Sequence, residues 1–296
     1  MQTCAECLMC LLTREMASVP LDTPAQEKLA HLRDAMRLLG GADMNVSTPE
    51  IGLQLSALHQ RRFGDGKQLM YAKVKRLYNK RMTEMAPTLR AALGRASDPL
   101  AAALKLARAG NYIDFGASHV VTDTQLDGLI RNADAETLDT AEYEAFRRDM
   151  ATARRLVYVT DNAGEIVLDG LLIEQILIAR PDLQLTVLVR GGFVLNDATV
   201  EDAHEVGLDA MVPVMGNGNA MPGTVWSALS PAAQALLREA DMIVAKGQAN
   251  FETMSECGLN VYYLLLCKCD YFVRRFGVPR LTGMFVNDRR LPPIEA

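Results

Sequence analysis

The chain has 296 residues, 49% of them hydrophobic and 23% charged, with a net charge of −5 from 31 Lys+Arg against 36 Asp+Glu. That length supports a core without disulfides, in one large domain or two unequal ones. The acidic balance argues against a dedicated duplex nucleic-acid binder, and no apolar run approaches the roughly 18 residues of a membrane-spanning helix.

In chain order, the first half reads as helix after helix. The opening MQTCAECLMCLLTRE has no basic lead-in and carries Glu6 within its apolar run, so residues 1–19 are expected as a helix and not as a signal peptide. A cytoplasmic chain with six reduced cysteines is the matching expectation. Pro24 to Leu39 is a second helix, ended by Gly40-Gly41. Ser47-Thr48-Pro49-Glu50 starts a third, with a capping hydroxyl, an early proline and an early carboxylate. It runs to about Phe63 and stops at Gly64-Asp65-Gly66. Lys67 to Leu93 is long, and its basic run (Lys73, Lys75, Arg76, Lys80, Arg81) is expected as a solvated face. Asp98 to Ala109 is a further helix, and two more are expected near 122–131 and 136–152, beyond the turn-rich Gly110 to Gly116.

Near Arg155 the pattern changes to strands alternating with helices. Leu156 to Thr160, Leu185 to Arg190, Met242 to Lys246 and Val261 to Cys267 are continuous apolar strands. Helices over about 164–179 and 230–240 stand between them. Such runs indicate a mostly parallel sheet covered on both faces. The expected division is a helical region over 1–152 and an α/β domain over 153–296.

In open α/β sheets, ligands bind outside the carboxyl ends of the strands. Three strands end there in polar residues: Asp161-Asn162-Ala163-Gly164-Glu165, then Asn196-Asp197 after Gly191-Gly192, then Lys246-Gly247-Gln248-Ala249-Asn250-Phe251-Glu252. Asp161, Asn162 and Asp197 offer hard oxygen ligands of the kind magnesium or manganese takes. Lys246 suits a phosphate as a point charge, and Gly164 opens a helix whose N–H groups suit an anion. Each segment alone also reads as an ordinary turn or surface loop. Their coincidence at one sheet edge favours phosphoryl chemistry.

The N-terminal Cys4-Ala5-Glu6-Cys7-Leu8-Met9-Cys10 carries two CxxC spacings and leaves three readings open. They are plain buried thiols, a zinc or iron–sulfur site that Cys267 and Cys269 complete, and a redox pair. Cys4 and Cys7 are therefore a candidate second metal or redox site. Cys257 is expected in the core. His31, His59, His119 and His204 have no ligand spacing between them and are expected as surface or satisfied core residues.

The strand-end blocks, together with Ser97-Asp98-Pro99-Leu100, Ala109 to Gly116 and the cysteine-bearing N-terminus, resemble the damage-control phosphatases. This is the metal-dependent family long called domain of unknown function 89, here in its prokaryotic-type branch. The resemblance covers nearly the whole chain. It implies a Rossmann-like α/β/α sandwich with a mostly parallel sheet plus an N-terminal all-helical domain. It also implies a divalent metal, Mg²⁺ or Mn²⁺ with Co²⁺ or Ni²⁺ as further choices, held by Asp161, Asn162 and Asp197. Lys246 would hold the substrate phosphate. Asn111, Asp114, Glu165 and Asn250 would bind substrate beside it, with Asn111 and Asp114 coming from the helical region. One departure is visible: after Phe63-Gly64 the branch commonly reads Asp-Pro-Tyr, whereas this chain has Asp65-Gly66-Lys67.

The activity so implied is hydrolysis of small phosphometabolites such as sugar phosphates, including side products of other enzymes. The attacking group is either water on the metal or Asp161 itself. Nucleic acid and membrane are not expected partners, and the oligomeric state is left open. An S-adenosylmethionine-dependent methyltransferase is the second reading, but Asp161-Asn162-Ala163-Gly164 is too poor in glycine for its phosphate loop. A non-catalytic metal- or thiol-dependent binding module is the third; it sits poorly with Lys246.

Overall fold

The computed structural model describes residues 2–112 and 137–292. Among the described residues, six helices precede the first strand: α1 (Ala5–Ala17), α2 (Ala25–Gly40), α3 (Thr48–Phe63), α4 (Gly66–Leu93), α5 (Pro99–Gly110) and α6 (Thr140–Thr152). The expected starts are present. Ser47 N–H donates to the Glu50 carboxylate over 2.8 Å at the head of α3. Asp98 and Asp139 accept from Ala101 N–H and Glu142 N–H at the heads of α5 and α6. The helix expected near 122–131 lies outside the described residues.

The remainder alternates strand and helix: β1 (Arg155–Val159), α7 (Glu165–Ala179), β2 (Gln184–Val189), α8 (Val200–Glu205), β3 (Val214–Gly216), α9 (Pro231–Arg238), β4 (Met242–Lys246), α10 (Gly247–Met254), β5 (Val261–Leu266), α11 (Asp270–Phe276) and β6 (Gly283–Asn287). The strand order is β3-β2-β1-β4-β5-β6, parallel throughout except for antiparallel β6. This is a doubly wound order whose direction reverses between β1 and β4, the point at which open sheets bind ligands. The three strands expected to carry polar ends, β2, β1 and β4, are spatial neighbours.

Alternation along each strand divides the core. Leu156, Tyr158 and Val187 pack with α7 and with Tyr78, Met82, Leu104 and Phe146 of α4, α5 and α6. Val157, Ile243 and Tyr263 pack with Leu237, Phe251 and Phe272 of α9, α10 and α11 on the other face. A small separate core of Ala35, Leu39, Ile51 and Leu55 joins α2 and α3. Among the described residues no helix is long and apolar enough to cross a membrane.

Two short strands escape the sequence pattern. β3 has three residues, fewer than a strand pattern needs, and β6 is only partly buried and lacks the continuous apolar run of the inner strands. The basic stretch of α4 is only partly solvated, which corrects one expectation. Lys75 is buried, its Nζ 2.7 Å from Asp202 Oδ2 of α8 and 4.8 Å from the Phe193 ring centroid.

Candidate active site at the strand ends

The β1–α7 turn and the loop after β2 are clipped together through their backbones. Ala198 N–H donates to Asp161 O and Ala163 N–H to Asn196 O, both over 2.8 Å, and Asn162 and Asp197 form an isolated antiparallel bridge. Both acid–amide pairs are thereby fixed side by side. Gly247, at φ +77°, brings the turn after β4 against them; a β-carbon there would fall inside the Asp161 carboxylate. No other residue type fits that position.

Side chains from four elements then converge. Asn111, which follows α5, donates from Nδ2 to Asp161 Oδ2 over 2.9 Å and to both Glu165 oxygens at 3.2–3.3 Å. Asn162 Nδ2 donates to Asp161 Oδ2 at 2.8 Å and Glu165 Oε2 at 3.0 Å, while its Oδ1 accepts from Asn196 at 2.7 Å. Lys246 Nζ donates to Glu165 Oε1 and Asp169 Oδ1, each at 2.6 Å, and to Ala107 O at 2.8 Å. Arg190 Nε holds Asp197 Oδ2 at 2.7 Å.

The electrostatics of this set are unbalanced. Asp161, Glu165, Asp169 and Asp197 are buried, and among the described residues the buried cations bonded to them are Lys246 and Arg190. If all ionise, the group falls two positive charges short. Burial pushes the Asp161 carboxyl well above its usual range, and the neighbouring Glu165 and Asp197 push the same way; Lys268 and Arg190 oppose them. Asp169 is likewise raised by burial, to about 6, although Lys246 pulls it down. Buried carboxylate and carboxamide oxygens with a deficit of two charges fit a divalent cation.

Asp161, Asn162, Glu165, Asp197, Lys246, Asn250 and Asn111 are all buried at this edge. Asp114 lies outside the described residues. Two of these residues are more committed than their sequence roles required. The three N–H groups of Lys246 are all engaged within the protein. Asn250 Nδ2 donates to Thr160 O and Lys246 O, and its Oδ1 accepts from Thr224 and Arg190. At the head of α7, where the sequence suggested an anion site, Gly164 N–H donates to Asn79 Oδ1 over 2.7 Å and Ala163 N–H to Asn196 O, so these two groups are engaged within the protein. Sequence reasoning missed Arg190, Asp169, Asn79 and Lys268. Of these, Arg190 and Lys268 follow strands at the polar edge, so the strand-end rule could have found them.

The cysteines differ in burial, and Cys269 stays within electrostatic reach of Cys7. Cys4 Sγ and Cys7 Sγ are 3.2 Å apart at the head of α1, whereas Cys10 is exposed. Burial first, then the Cys7 thiol, pushes Cys4 up to about 12. Cys267 is buried just past β5, and Cys269 caps α11. Cys257 is exposed, not in the core, because the chain turns outward beyond α10. His31 and His59 are not scattered: the fold brings both onto Glu15. His204 is exposed and paired with Asp209, and His119 lies outside the described residues.

Comparison with known proteins matches residues 3–282 to the damage-control phosphatase ARMT1-like domain. A damage-control phosphatase of Archaeoglobus fulgidus is 31% identical over 278 residues, covering 92% of this chain and 94% of the relative. One from Pyrococcus horikoshii is 35% identical over 181 residues, covering 60% of this chain and 61% of its own. The crystal structure of a DUF89 family protein from Pyrococcus horikoshii aligns with a TM-score of 0.78 at 26% identity, covering 97% of this chain and 99% of that one. With the family matched over almost its whole length and the strand-end blocks assembled at one edge, the chain belongs to the damage-control phosphatase ARMT1-like family.

Proposed function

We propose that this protein is a divalent-metal-dependent phosphatase that hydrolyses small phosphate monoesters, sugar phosphates among them, in metabolite damage control. The observation that carries the reading is the buried charge deficit at the ends of β1, β2 and β4. Asp161, Asn162 and Asp197 are the proposed ligands, with Mg²⁺ or Mn²⁺ as the first choice for an all-oxygen set. When bound, the metal supplies polarisation of the phosphoryl group and offsets charge that develops on its oxygens.

The protein groups position that chemistry. Asn111 and Asn162 hold the Asp161 carboxylate by Oδ2, and Arg190 holds Asp197 by Oδ2. Asn196 orients the Asn162 carboxamide by donating to its Oδ1. Lys246 fixes Glu165 and Asp169 and reaches a substrate phosphate by exchanging one of its three internal bonds. Lys268, beyond β5, adds positive charge felt at Asp161. The region 1–152 contributes Asn111, and in this reading Asp114, to a site otherwise built by 153–296.

A screen of the purified protein over phosphometabolites, with and without Mg²⁺, Mn²⁺, Co²⁺ or Ni²⁺, tests reaction class and metal together. Asp161→Ala and Asp197→Ala are each expected to lower metal-dependent activity by at least about 10²–10³-fold, with the circular dichroism spectrum unchanged. Full activity of both variants on a generic aryl phosphate would overturn the assignment.

A further inference from the structure

Apart from the strand-end set, three helices bring together a second group of ligating side chains. Glu15 of α1, His31 of α2 and His59 of α3 each offer one ligand atom, and these atoms lie within 4.8 Å of one another. All three residues are buried. Glu15 Oε1 is 2.8 Å from His31 Nε2 and 2.7 Å from His59 Nδ1. The Phe63 ring packs on both imidazoles, with centroids at 4.8 and 4.9 Å. His59 also lines a cavity of about 220 Å³, together with Gln60, Lys67, Tyr71 and Phe193, which gives the cluster an approach for small solutes. The phosphatase reading uses none of these groups.

We propose that Glu15, His31 and His59 form a second divalent-metal site, distinct from the strand-end carboxylates, that takes zinc or a similar transition metal. Two imidazole nitrogens and a carboxylate oxygen suit Zn²⁺, Co²⁺ or Ni²⁺ better than Mg²⁺. Three protein ligands leave a fourth position for water or a small ligand entering by the cavity. Binding needs a short rearrangement. Each imidazole transfers the proton it shares with Glu15 to its other ring nitrogen. Ligand atoms about 2.0–2.2 Å from a tetrahedral ion stand about 3.3 Å apart, so the 2.7–2.8 Å contacts open by roughly half an ångström.

Lys67 is the competitor built into the site. Its Nζ lies 3.8 Å from Glu15 Oε2 and balances that carboxylate while no metal is bound. The lysine side chain is 22% exposed and lines the cavity, so it has room to swing outward. A cation at Glu15 therefore displaces the ammonium towards the cavity. Removing that charge should tighten metal binding, a direction that a merely structural cluster does not predict.

The test is titration of the full chain carrying Asp161→Asn and Asp197→Asn, which silences the strand-end site, with Co²⁺ by absorption and Zn²⁺ by calorimetry. The expected result is one equivalent bound, visible ligand-field bands, and no thiolate charge-transfer band. His31→Gln and His59→Gln are expected to weaken binding by at least about 100-fold, and Lys67→Met to tighten it by about tenfold. Circular dichroism checks that the variants fold, and Lys67→Met decides the matter should the buried histidine variants not fold. Absence of binding, a thiolate band pointing to Cys4 and Cys7, or Lys67→Met that fails to tighten binding would each overturn the site.

Discussion

At the residue scale, the strand-end network is a set of carboxyls held in deficit of positive charge. Asp169 illustrates the consequence because its partners are known: Lys246 Nζ at 2.6 Å and the Tyr158 hydroxyl at 2.8 Å. Burial raises its pKa from 3.8 to about 6. Between those values the folded protein holds a proton that the unfolded chain has lost. Its contribution to stability is therefore greatest at the acid end and falls as pH rises through that window. Urea unfolding of the metal-free protein from pH 4 to 7 should show this decline, and Asp169→Asn should make it shallower, leaving the share that the raised Asp161 contributes; an unchanged slope would remove Asp169 as a source. The identities of Asp161, Asn162, Asp197 and Lys246 were legible as polar residues ending apolar strands. Their partners were not. Nothing in the spacing of Asp169 or Arg190 says that each will meet a residue seven or more positions distant across a buried gap.

At the scale of elements, the working unit is a turn held from outside. The β1–α7 turn carries Asp161, Asn162 and Glu165, and α4 reaches across to it through Asn79. Asn79 Oδ1 accepts from Gly164 N–H, while its Nδ2 donates to Asp202 at 3.0 Å and Glu205 at 2.7 Å on α8. Lys75, one turn earlier on α4, pairs with the same Asp202. Asn79→Ala leaves these buried groups without their partner and should cost about 1–3 kcal/mol. Because the turn also aims the site, phosphatase activity should fall with stability. Chemical denaturation and steady-state kinetics read the two effects, and a variant with full activity and full stability would show that α4 does not hold the turn. The helix pattern in this region was readable from the sequence, but it suggested a solvated basic face. Lys75 and Asn79 are buried because α8 packs there, and a six-residue helix has too few turns to announce itself.

At the scale of the whole molecule, the sheet gathers charges from residues far apart in sequence, and the helices close over them. One core joins α4, α5 and α6 to the sheet, so the helical layer and the site are mechanically continuous. A divalent cation that relieves the buried deficit should accordingly stabilise the entire fold. At about 100 times its dissociation constant, a metal that binds only the folded state adds about 2.7 kcal/mol. Thermal unfolding should rise with Mn²⁺ or Mg²⁺, and Asp197→Asn should lose the response at the strand ends. A melting curve indifferent to every divalent metal would contradict the reading of the deficit.

Fold class, the long helices, the inner strands and the family were legible from the residues alone, because periodicity and strand-end chemistry are local properties. Three further points emerge only when the chain packs. Packing engages all the donors of Lys246 inside the protein, ties the Gly164 N–H before α7 to Asn79, and brings His31 and His59 onto Glu15 from separate helices. Each of these depends on which surfaces pack together. Packing is set by burial of the whole chain, not by spacing along it.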